Sequence, residues 1–167
     1  MAELLRHAVN LGLDALLVLL PISLFSVARA LVAGRANPAG KSSCALALAG
    51  AATIGALCVS DLVLKPLFGR YTLDDLPQHY GFRFFGGTMD SSFPSGHATF
   101  AVAFFWVLLT LFPQHRVLWA TLIALTLGGL IFAQWHFLSD VAAGAMLGSL
   151  AAMSVAALAT RSGRRQP

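Results

Sequence analysis

Apolar residues in this chain come in long unbroken runs, without the two-residue alternation of a half-buried strand or the narrow stripe of an amphipathic helix. Five runs approach the roughly 20 residues that a helix needs to cross a bilayer. They are Leu11 to Leu31, Cys44 to Leu64, His97 to Phe112, Val117 to Trp135 and Val141 to Leu158. The pattern predicts an all-α, polytopic transmembrane helix bundle of about five spans. The third run is short, so its helix is expected to extend back through the residues just before His97. Asp14 and Pro21 interrupt the first run, tolerably if the acid lies near the interface and neighbouring helices cover the freed backbone. Small residues crowd the second and fifth runs, and Gly144-x-x-x-Gly148 suits close helix packing. No repeat or low-complexity linker divides the chain, which reads as one domain over 1–167. The one long polar stretch, Lys65 to Ser95, lies between the second and third runs.

Composition supports the membrane reading. Of 167 residues, 57% are hydrophobic and 11% charged, with a mean hydropathy of +0.76. That is far too apolar for a soluble domain of this length. The net charge of +4 and pI near 9.7 do not indicate nucleic acid, because the basic residues are scattered over short connections. With five spans they divide by side: Arg29, Arg35, Lys41, Arg116, Arg161, Arg164 and Arg165 on one, Arg6, Lys65, Arg70 and Arg83 on the other. The richer side is expected to be cytoplasmic. The C-terminus is then expected inside and the long loop outside; the expected location is a bacterial inner (plasma) membrane, with the loop on its periplasmic face. The stretch after Arg6 continues past Pro21 without a clean cleavage site and reads as a span. Cys44 and Cys58 share one apolar run and read as packing residues.

Candidate chemistry gathers at three places on that outer face. Ser92-Phe93-Pro94-Ser95-Gly96-His97 opens the third run. Proline suits a first helical turn, Ser91 or Ser92 could cap it, and a helix N-terminus attracts anions. The same residues would also serve an ordinary capped helix start. Lys65 and Arg70 follow the second run, with Asp61 one turn before the lysine and placed to pair with it. His136 and Asp140 stand four apart between the fourth and fifth runs. A carboxylate bonded to one ring nitrogen of histidine fixes the tautomer and leaves the other nitrogen as a nucleophile. In the long loop, Phe82, Phe84 and Phe85 could meet the headgroup region or simply pack as a lid.

With these residues in place, the sequence resembles the type 2 phosphatidic acid phosphatase superfamily, membrane lipid phosphatases related in fold to the vanadium haloperoxidases. Its signature reads K-x6-R-P, then P-S-G-H, then S-R-x5-H-x3-D. Pro94-Ser95-Gly96-His97 is complete, His136 and Asp140 stand in the third part, and Lys65 with Leu67-Phe68-Gly69-Arg70 represents the first. The resemblance covers roughly Asp61 to Leu150. It implies a phosphoric ester hydrolase working through a phosphohistidine. His136 would be the nucleophile, Asp140 its orienting carboxylate and His97 the general acid and base. Lys65, Ser95 and Gly96 would bind the phosphoryl oxygens. It implies no metal and no cofactor, and the sequence offers no further metal-ligand cluster.

Two motif arginines are absent: Thr72-Leu73 stands where Arg-Pro is expected, and Gly129-Leu130 where Ser-Arg is expected. Losing one oxyanion donor typically costs about 2.7–4 kcal/mol, so replacements are expected. Arg70 is the first candidate, Arg83 the second, and Gln134 a donor near Leu130. Members of that superfamily commonly have six spans, so the missing one leaves a helix face that a second copy of the chain would cover. The expected partners are membrane lipids and a lipid phosphate. Candidates are phosphatidate, phosphatidylglycerophosphate, a polyprenyl phosphate or diphosphate, and a lipid A phosphate. The alternatives are a phosphotransferase sharing the same intermediate and a catalytically weak or silent lipid-binding protein.

Overall fold

Small and aliphatic side chains follow one another almost without a break from Cys44 to Leu64, and the chain there forms a continuous helical rod. The structure, a computed structural model, describes residues 38–88 and 91–163, with side chains between 44 and 157 in those ranges. Helix α1 (Pro38–Val59) runs through a π-helical turn at Ser60–Leu64 into the short α2 (Lys65–Phe68). Three further helices follow: α3 (Gly96–Leu111), α4 (Arg116–Phe132) and α5 (Leu138–Gly163). Among the described residues there is no strand, and a single antiparallel bridge between Arg70 and Phe82 closes the long loop.

Cys44–Phe68, Pro113–Phe132 and Leu138–Ala157 are long and apolar enough to cross a membrane. Helix α3 is shorter: its 16 residues reach about 24 Å at 1.5 Å per residue, less than a hydrocarbon core of roughly 30 Å. It is the central helix, in contact with α1, α4 and α5. Ala98 through Phe105, Val107 and Leu108 are buried, as expected of a helix apolar on every side. Phe100, Phe104 and Phe105 pack with Ala45, Ala49 and Ala52 of α1 and Ala152 of α5. The expected span at Leu11 to Leu31, with Arg6, Asp14, Pro21, Arg29 and Arg35, lies outside the described residues, as do Arg164, Arg165 and the side chains of Lys41 and Arg161. Of the two cysteines, Cys44 is half-buried, while Cys58 is exposed on the flank of α1 and is not a packing residue within the described part.

The closest helix contact is between α3 and α5, and glycine makes it possible. A Cβ on Gly148 would stand 2.6 Å from the Thr99 carbonyl oxygen, and one on Gly144 would run into the Ser95 carbonyl oxygen. Backbones this near are what small residues spaced four apart permit.

Helix α3 does not extend back through the corner as expected. It starts at Gly96, because Ser95 is held extended (φ −67°, ψ 117°) by its amide, which donates to the Asp140 carbonyl at 3.1 Å. The cap is therefore Ser95, whose Oγ accepts from the Ala98 amide at 3.4 Å, and not Ser91 or Ser92. Pro94 precedes the cap instead of filling the first turn.

Candidate active site

Lys65 owes its position to the π-helical turn before it. There it pairs with Asp61 across one turn, Nζ to Oδ1 3.0 Å. A Cβ on Gly96 would lie 3.8 Å from the same Nζ, so the ammonium stands beside the start of α3. Helix N-termini and lysines both favour anions.

Arg70 follows a sharp reversal at Gly69, which ends α2 in the left-handed region at φ 53°. Its carbonyl accepts from the Ser92 amide at 3.0 Å, tying the two ends of the loop together. The residue is 7% exposed, and its side chain lies between two rings, Cζ 4.0 Å from the Phe137 centroid and 5.0 Å from that of Phe82. Nη1 donates to Asp140 Oδ1 at 2.6 Å and to Ser139 Oγ at 2.5 Å. Arg70 is thus clamped on the carboxylate beside His136, and its Nε is buried without a hydrogen-bond partner.

His136 is delivered by the end of α4. The Gln134 amide donates to the Ile131 carbonyl at 3.0 Å and that of Trp135 to the Leu130 carbonyl at 3.2 Å. Gln134 is left-handed at φ 57°. This is a Schellman reversal, with Trp135 packed on the small apolar cluster of Leu130, Ala98 and Val141. It turns the chain directly back into α5. Asp140 lies in the first turn of α5 and is fully buried. Its Oδ2 accepts from the Phe137 amide at 3.1 Å, capping the helix, and from Ser92 Oγ at 2.6 Å. Ser92 Oγ is also 3.1 Å from His136 Nδ1, whereas Nδ1 and Asp140 Oδ2 are 3.8 Å apart.

The structure brings Lys65, Arg70, Ser95, Gly96, His97, His136 and Asp140 to one end of the helices. His97 lies with its ring against Trp135, centroids 5.7 Å apart. Arg83 is turned elsewhere: its Cζ stands 4.4 Å over the Tyr71 ring and its Nε donates to the Gly69 carbonyl at 3.4 Å. Gln134 is exposed and lines, with His136, Phe137, Ile131 and the loop residues Leu73, Asp74 and Leu76, a cavity of about 390 Å³.

The positions expected to hold arginine have other occupations. Thr72 donates from its amide and hydroxyl to Asp75 Oδ2, at 2.7 and 2.8 Å, as part of a tight turn. Leu130 is fully buried against Ala98 and Val141. The bonds that Ser92 and Ser139 make here, and the placing of Arg70 between Phe82 and Phe137, are not legible in the sequence, since no spacing rule relates residues so far apart. Among the described residues no group of three or more His, Cys, Asp or Glu could hold a metal ion.

The sequence model of the PAP2 superfamily matches residues 42–164, which takes in α2 to α5, nearly all of α1 and every side chain described above. Comparison with curated proteins and with solved structures gives no match.

Proposed function

The chain belongs to the PAP2 superfamily, and from that premise we propose that it is an integral membrane lipid phosphatase acting through a phosphohistidine. Membership supports phosphoric ester hydrolysis, and the three long apolar helices support a place in a membrane. The observation that carries the finer reading is the approach of Ser92 Oγ, itself bonded to Asp140, to His136 Nδ1 at 3.1 Å, beside a cavity that His136 lines. Engagement at Nδ1 leaves Nε2, across the ring, as the nucleophile.

In the first step Nε2 attacks phosphorus, the N–P bond forms, and the bond to the ester oxygen breaks. His97 gives its proton to the leaving alkoxide. In the second, His97 takes a proton from water, the hydroxide displaces His136, and phosphate leaves with the ring neutral again. Lys65 and the first amides of α3, at Gly96, stabilise the phosphoryl oxygens as charge builds. Ser95 shapes that turn as its cap. Arg70 acts on Asp140, which attracts the imidazolium formed on attack. Exposed Phe84 and Phe85, on the loop that also supplies Leu73 and Leu76 to the cavity, suit an interfacial position for a lipid phosphate. The site then faces the outer, periplasmic side of a bacterial inner membrane.

The buried Leu130 favours a second reading, a lipid-binding membrane protein with weak or no turnover. One experiment separates the two: phosphate release from a panel of lipid phosphates by purified protein in detergent, with EDTA present. Wild type is expected to release phosphate and His136→Ala and His97→Ala to lose it by roughly 10²-fold or more. Equal release by wild type and His136→Ala would overturn the phosphohistidine, and binding without release would support the second reading.

A further inference from the structure

Asp140 and His136 are the natural histidine–carboxylate pair of this site, yet His136 Nδ1 and Asp140 Oδ2 are 3.8 Å apart, beyond hydrogen-bond reach. The carboxylate is already engaged by other donors: Arg70 Nη1 on Oδ1, and Ser92 Oγ and the Phe137 amide on Oδ2. An ionised carboxylate only accepts, and a hydroxyl has one proton. The Ser92 proton therefore points at Asp140, across 2.6 Å. What the Ser92 oxygen offers His136 Nδ1, at 3.1 Å, is a lone pair. A hydrogen bond at this contact then takes its proton from Nδ1.

We propose that Ser92 is a positioning residue of this site: its hydroxyl stands between Asp140 and His136, holds the ring as the Nδ1–H tautomer, and thereby leaves Nε2 bare. Ser92 is 1% exposed, so water does not compete for these bonds. Its backbone is held as well, by the amide that donates to the Arg70 carbonyl. The segment before Pro94-Ser95-Gly96-His97 thus orients the histidine that follows α4. This inference rests on the proposed role of His136 as nucleophile and adds the group that sets its tautomer.

The test compares Ser92→Ala, Ser92→Thr and, as a control on the same segment, Ser91→Ala. Ser91 Oγ accepts only from the Thr88 amide in the described structure. Replacing the carboxylate behind a catalytic histidine outright costs about 10⁴-fold in kcat through the wrong tautomer. Removing the intervening hydroxyl while keeping Asp140 is expected to cost less, roughly 10- to 100-fold in kcat. KM and inhibition by inorganic phosphate should stay within about threefold of wild type, because Ser92 does not hold the phosphoryl group. Ser92→Thr should recover most of the rate, and Ser91→Ala should keep the wild-type kcat. Ser92→Cys, similar in size and a weaker hydrogen-bonding group, serves if Ser92→Ala does not fold. Nitrogen-15 NMR of histidine-labelled protein, with His136 assigned by its loss in His136→Asn, should show the Nδ1–H tautomer in wild type and a mixture in Ser92→Ala. Wild-type kcat in Ser92→Ala, an unchanged His136 tautomer, or a loss confined to KM would each overturn the proposal. If the wild type hydrolyses no lipid phosphate, the reading of function fails, and the tautomer measurement decides the role of Ser92 by itself.

Discussion

Two regions meet at the end of the helices that carries His136, and they are built on opposite terms. The corner from Ser92 to Ala98, docked on the start of α5, is largely buried and is cross-linked by hydrogen bonds that Ser92, Ser95 and Arg70 donate to Asp140. The loop from Tyr71 to Phe85 is tied at its base by backbone bonds, Tyr71 to Gly81 and Arg83 to Gly69, and in the Thr72–Asp75 turn, while much of the rest is held by ring contacts such as Tyr71 on His79 and Phe82 on Phe84. Tyr80, Phe84 and Phe85 remain exposed on it. Buried polar bonds impose position, since a lost partner leaves an unsatisfied group in a low dielectric. Ring contacts tolerate sliding. The difference teaches where geometry is set and where a substrate of variable shape could be accommodated.

Removing Arg70, which serves both regions, should have the largest effect on folding. Arg70→Ala leaves Asp140 buried without its ion-pair partner, and breaking such a pair typically costs about 3–5 kcal/mol. Denaturation in detergent would measure it. Arg70→Lys should recover only part, because a lysine cannot repeat the planar packing between Phe82 and Phe137. A stability unchanged in Arg70→Ala would show that the corner does not depend on the loop's base.

The next effect lies wholly within the corner. Gly144→Ala puts a methyl group against the Ser95 carbonyl, Ala98 and Thr99. Overpacking of this kind costs roughly 1–3 kcal/mol. It should also lower phosphate release, by moving Ser95 and with it the head of α3. Loss of stability with unaltered kcat per folded molecule would separate the helix seam from the chemistry.

The smallest effect belongs to the loop and depends on pH. Hydrogen bonds from the Thr72 hydroxyl and amide hold the Asp75 carboxyl below its ordinary value of 3.8. A depressed carboxylate adds stability that is present above the unfolded value and disappears as pH falls through the folded one. Hydrogen exchange of the Leu73–Leu76 amides should therefore show protection, corrected for intrinsic rates, that falls only below about pH 4, and the dependence should vanish in Asp75→Asn. Loss of protection at higher pH would mean that another group holds the turn.

Much of this is legible in the sequence. The apolar runs marked the helices, the spacing of Gly144 and Gly148 marked the tight seam, and Asp61 with Lys65 marked an ion pair one turn apart. These rest on local periodicity, which a helix converts directly into shared faces. The boundary of α3 was misread, because the bond that holds Ser95 extended comes from Asp140, far along the chain. The same limit applies to the missing arginines. Position counting suggested three substitutes, yet Arg83 lies over Tyr71, while Arg70 reaches the site by way of Asp140.

By itself the sequence determined the all-helical architecture with helices long and apolar enough to cross a membrane, the superfamily, and the residue types gathered at one end, because hydrophobic run length and motif order are properties of a chain. Tertiary structure alone decided which oxygen stands between Asp140 and His136, which cation holds the carboxylate, and why Leu130 sits in an apolar contact. Those are matters of tenths of an ångström between residues up to 70 positions apart. A hydrogen bond exists or fails on that scale, and no spacing along a sequence resolves it.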